Sequence, residues 1–158
     1  MTHVKNILVA IDLGDSSKQA LAEARELAGR TGAAIHLLCV VQDPSALAWA
    51  PAAQADVLAV LSGQMQRDAN TYLDQLQRAL ERERLHAEVV VQVGTRPSAG
   101  ILGYAAAKNI DLIVIGKGDH GSPEAAAEPA VAETVVRGAT CPVLVVPART
   151  AAGHARNP

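Results

Sequence analysis

The chain has 158 residues, about half of them apolar, with both signs of charge mixed and a formal net charge of only -2. That length fits one domain with an ordinary core, and without a basic run it excludes nucleic-acid binding as the main activity. No stretch is long and apolar enough to span a bilayer, and the N-terminal Ile7–Ile11 run is ended too soon by Asp12 for a secretory segment, so a cytoplasmic protein is expected.

The first apolar run, Ile7–Ile11, reads as a strand. Asp15, Ser16 and Ser17 follow as N-cap types, and then Ala20, Leu21, Ala24, Leu27 and Ala28 mark one helix face before Gly32 stops it. Ile35–Val41 is the second strand. Gln42–Ala53, with Pro44, Trp49 and Pro51, reads as a surface loop whose Trp49 folds onto its own helix more readily than onto a partner. A long helix is expected over Ala55–Arg84, with Leu58, Leu61, Met65, Ala69, Tyr72, Leu76 and Leu80 as its apolar stripe. The charged residues off that stripe read as a solvated face.

Val89–Val91 is a shorter, more polar-flanked strand. A third helix is expected over Pro97–Lys108 with Ile101, Leu102, Ala105 and Ala106 inward, Thr95 and Arg96 serving as cap and solvated flank. Leu112–Ile115 and Val143–Val146 are the last strands, with a helix over Ala130–Arg137 between them. Nearly continuous Val/Ile/Leu strands alternating with helices predict a parallel sheet covered on both faces, in a three-layer α/β sandwich with right-handed crossovers. One domain over residues 1–147 is expected, and the polar, Pro-ended tail, residues 148–158, is expected to be disordered.

Three segments carry a family resemblance. Ile7-Leu-Val-Ala-Ile-Asp12 with Gly14-Asp-Ser-Ser17, Asp111-Leu-Ile-Val-Ile-Gly116, and Cys141-Pro-Val-Leu-Val-Val-Pro147 stand in order. Together they resemble the first, fourth and last strands of a universal stress protein. The resemblance implies a three-layer Rossmann-like sandwich with a five-stranded parallel sheet of order 3-2-1-4-5, and a crevice where strands one and four diverge. It also implies that the acid at Asp12 lies near an adenosine moiety and that the backbone at Val40 meets adenine. A Gly-x-x-Gly, nine residues and a Gly-Ser/Thr would cradle phosphates. On this chain that pattern begins at Gly116, but its second glycine falls on Asp119 and its Gly-Ser falls on Pro129-Ala130.

Each departure weakens a phosphate site. Asp119 adds a side chain and a negative charge, Pro129 removes an N–H, and Ala130 lacks a hydroxyl. Asp119, Glu124, Glu128 and Glu133 against Lys117 alone leave residues 117–133 at net -3. Gly118 or Gly121 could replace the missing glycine through a shift of one or two residues. The leading expectation is a dimeric stress-response interaction or regulatory module without tight ATP binding and with no obligatory cofactor. An ATP or other adenine-nucleotide switch is the alternative, and a hydrolase or nucleotidyl transferase of the same superfamily is a third.

Other chemistry has weaker support. Cys39 and Cys141 read as buried, inert thiols, and the five histidines show no metal-ligand spacing. Ser16 and Ser17 have no base spaced to activate them, and His120 beside Asp119 is a weak acid/base candidate. The resemblance also implies a homodimer formed by pairing the last strand, Val143–Val146. An apolar strand left at a sheet edge needs such cover.

Overall fold

The computed structural model describes residues 3–12, 14–43, 54–118 and 130–148. Among the described residues five strands and four helices alternate: β1 (Asn6–Ala10), α1 (Asp15–Thr31), β2 (Ala34–Gln42), α2 (Ala55–Arg82), β3 (Ala87–Gly94), α3 (Pro97–Ala107), β4 (Leu112–Gly116), α4 (Val131–Gly138) and β5 (Val143–Val146). The strands form one parallel sheet in the order β3-β2-β1-β4-β5. The central strand β1 is the most enclosed, with Ile7, Leu8 and Val9 fully buried. Continuous apolar sequence is what a strand covered on both faces requires.

Side chains alternate between two cores. Ile7, Val9, Ile35, Leu37 and Val114 face α1 and α2, where they pack with Ala20, Ala24, Ala28 and Leu73. Leu8, Leu38, Ile113 and Ile115 face the other way, onto Ile101, Tyr104 and Val135 of α3 and α4. The alanines of α1 allow that helix to lie close to the sheet, and its end is set by Gly32 at φ 73°, whose N–H donates to the Ala28 carbonyl at 2.8 Å.

Several local expectations are corrected. The N-cap of α1 is Gly14, not a serine. Asp12 Oδ1 accepts the Gly14 N–H at 2.8 Å, and the Ser17 hydroxyl donates back to the Gly14 carbonyl at 3.0 Å. Ser16 and Ser17 lie inside the helix and are both buried. In α2 the fully buried anchors are Leu80, which belongs to the sequence stripe, and Leu73, which the stripe omitted. Leu61 and Met65 on that stripe are exposed, as are Val57 and Val60. Geometry explains this: a 28-residue helix runs about 42 Å, against about 30 Å for the nine-residue β2. The first turns of α2 therefore extend past the sheet.

In α3 the inward partner of Ile101 is Tyr104, three residues on, while Ala106 is exposed. Arg96 is the N-cap there and makes no side-chain capping bond. The helix α4 starts one residue later than expected, with Ala130 as its N-cap. Trp49 and the tail residues 149–158 lie outside the described residues. No helix among the described residues is long and apolar enough to cross a membrane.

Candidate functional site

The neighbours of β1 set the geometry of the crevice. Because β2 lies on one side of β1 and β4 on the other, the chain leaves β1 and β4 in opposite directions at their carboxyl ends. Val9 pairs with Val114, so Asp12 and Gly116 both emerge at that end. The start of α1 lies directly over β4 there. A Cβ built on Gly116 would stand 2.6 Å from Ser16 Oγ and 2.7 Å from the Ser16 carbonyl carbon. Only a glycine fits. Gly116 is thus required by the packing of α1 on β4, whether or not a ligand is present.

Val40 marks the second wall. It lies on β2 opposite Gln92 of β3. Its side chain is directed to the α3 side, where a Cβ on Gly100 would meet Val40 Cγ2 at 2.9 Å and one on Gly94 would meet Cγ1 at 3.8 Å. Gly100 therefore makes room for this isopropyl group, whereas a side chain at Gly94 would be in ordinary contact with it. The sequence signal for Gly100 was present, as a glycine in the middle of a short helix, but its partner could not be read from it.

Asp12 is exposed, and one of its carboxylate oxygens is committed to the Gly14 N–H. The Cys39 thiol lies on the α1/α2 side of β2. Burial pushes its pKa up and the Asp12 carboxylate pushes it further the same way. Burial also raises the Cys141 thiol. Neither environment favours a thiolate nucleophile.

At its carboxyl end β4 leads into Lys117, whose N–H donates to the Val146 carbonyl at 2.8 Å, and into Gly118 at φ 87°. A side chain at Gly118 would meet open space, so only its backbone angle calls for glycine. Asp119 and Pro129 lie outside the described residues, as do His120 and Gly121. Ala130 is described. It caps α4 without a hydroxyl, and Glu133 stands in the first turn of that helix. The positive end of α4 thus already has a carboxylate beside it. The structure brings Asp12, Gly116 and the start of α1 together, with Val40 on the neighbouring strand.

The profile of the Universal stress protein family matches residues 3–147. The chain belongs to the universal stress protein family. A universal stress protein, UspA from Lactobacillus plantarum, is 30% identical with a TM-score of 0.79, the match covering 92% of this chain and 99% of that one. Two more distant structures share the fold. One is a universal stress protein in complex with cAMP, at 20% identity and TM-score 0.61, covering 94% of this chain and 100% of that one. The other is the universal stress protein from Archaeoglobus fulgidus in complex with dAMP, at 18% identity and TM-score 0.58, covering 92% and 99%. A search of curated protein sequences finds no significant match.

Proposed function

We propose that this universal stress protein is a dimeric regulatory module of the cytoplasm whose crevice does not hold ATP tightly. The supporting observation is the start of α4. Where the family pattern places a Gly-Ser pair, this chain has Pro129-Ala130, with Ala130 as a hydroxyl-free N-cap and Glu133 in the first turn. A polyphosphate arriving there would meet a carboxylate in place of a hydroxyl donor, and Asp119 would add a second negative charge. Gly116 gives no independent support for a phosphate site, because its lack of a side chain is already explained by Ser16.

The partner surface of the proposed dimer is the free edge of β5. Among the described residues that strand pairs only with β4, and Leu144 and Val145 are each 37% exposed. Two copies pairing these edges would satisfy the open backbone groups and cover Leu144 and Val145. No nucleic acid or membrane partner enters this reading.

A second reading is a site for an adenosine monophosphate. The relatives in complex with cAMP and dAMP carry a single phosphate. One phosphate needs far fewer donors than three. The test restores the family pattern as D119G/P129G/A130S and follows direct binding of a fluorescent ATP analogue. The proposal expects no binding by the natural chain and micromolar binding by the triple variant. Equal binding by both would refute it, and AMP binding without ATP binding by the natural chain would favour the second reading.

A further inference from the structure

His36 is the third residue of β2, at the opposite end of the sheet from the crevice, and it is 5% exposed. Four elements meet at its imidazole. Nδ1 lies 2.8 Å from the Tyr104 hydroxyl of α3, and Nε2 lies 3.2 Å from Asn6 Oδ1 of β1. Glu88 Oε2 of β3 stands 3.4 Å from Nδ1. The Tyr104 ring meets the imidazole edge-on, with centroids 5.7 Å apart. An amide oxygen can only accept, so Nε2 carries the proton and Nδ1 accepts from Tyr104 O–H. A neutral imidazole satisfies both contacts.

We propose that the His36–Tyr104–Glu88 junction is a proton-sensitive latch that fastens α3 to the sheet at neutral pH and loosens when His36 takes up a proton. Protonation turns Nδ1 into a donor for which the Glu88 carboxylate, 3.4 Å away, competes with the Tyr104 hydroxyl, and the Tyr104 proton loses its imidazole acceptor. The new charge sits in the apolar layer formed by Leu8, Leu38, Ile101 and Ile113. Glu88, itself half exposed, offers partial compensation from the rim.

The groups facing the imidazole divide in sign. Burial is the largest influence and lowers its pKa from the ordinary 6.5; Glu88 raises it, while Lys108 at the end of α3 and His86 ahead of β3 lower it, leaving a net decrease. Stability from this junction is therefore fully present above the unfolded value of 6.5 and is lost as pH falls towards the folded value. Within that window the unfolded chain binds one proton more, and the folding constant drops by up to about tenfold per pH unit. Tyr104 lies one helical turn beyond Gly100, which meets Val40, so loosening α3 also reaches the crevice wall. The latch itself does not depend on what the crevice binds.

The experiment is an NMR titration of the histidine ring protons in the full chain, with the His36 signal assigned by its absence in H36Q. The expected His36 midpoint lies below 6.5. It falls further in E88Q, and it rises in K108M and in Y104F. Thermal unfolding between pH 7.5 and 5.5, as chosen assay limits, is expected to show a shallower pH dependence in H36Q than in the natural chain. A His36 midpoint at or above that of a free histidine would overturn the latch. So would shifts of the opposite sign in E88Q and K108M, both changes at exposed positions, which remain informative if H36Q does not fold.

Discussion

Replacing Gly116 with alanine separates a packing role from a phosphate role. The added Cβ would lie 2.6 Å from Ser16 Oγ, 2.7 Å from its carbonyl carbon and 2.8 Å from its Cβ. The hydroxyl could rotate away, but the carbonyl carbon belongs to the first turn of α1 and can move only with the helix. Overpacking of this kind costs about 1–3 kcal/mol, which for a chain of this size lowers the thermal midpoint by roughly 2–4 °C per kcal/mol. Circular dichroism melts and urea titrations of nucleotide-free protein would measure it. Adding S16G removes the Oγ and Cβ contacts but leaves the backbone contact, so the double variant should recover part of the loss and not all. An unchanged midpoint in G116A, or full recovery in G116A/S16G, would refute the argument that α1 rests on this glycine.

Gly118→Ala should cost about 1–2 kcal/mol for its positive φ alone, and Gly118→Asn should cost less; equal stability of all three in urea would count against the left-handed backbone at this turn. Leu73→Ala should destabilise by about 2–5 kcal/mol, because Leu73 is fully buried. Leu61→Ala, on the same helix but 51% exposed, should stay within about 0.5 kcal/mol; matching losses in the two variants would contradict the overhang of α2. Val145→Lys places a charge on the free edge of β5 and should give a monomer on a sizing column, whereas a persistent dimer would exclude that interface.

The sheet was legible because its strands are enclosed on both faces, leaving runs such as Leu112–Ile115 with nothing polar to disguise them. Their order came through the family resemblance, and the topology agrees with it. Helix faces were less legible. An amphipathic stripe says which residues share a face but not how far the sheet beneath it extends, so Leu61 and Met65 read as core while lying beyond it. Tyr104 was missed because its hydroxyl has a buried partner, His36, that is 68 positions away in sequence.

The turn after β1 failed for a related reason. Asp15, Ser16 and Ser17 all have N-cap chemistry, yet the Asp12 carboxylate takes the Gly14 N–H and frees the serines to be buried. At the crevice, the positions of Asp12, Gly116 and Val40 could be read from the sequence, but the contact that explains Gly116 could not. Its partner Ser16 lies 100 residues earlier and approaches through its backbone. Asp119 and Pro129 could be read only as residue types, and the argument they support rests on charge and donor chemistry.

Calorimetric titration of ATP and ADP, with and without magnesium, on protein stripped of nucleotide tests the central claim most directly. The account predicts no binding heat with the nucleotide at about millimolar levels, some 4 kcal/mol of binding free energy at most. Saturable binding in the micromolar range would contradict it and would mean that the loop grips phosphate despite Asp119, Pro129 and Ala130.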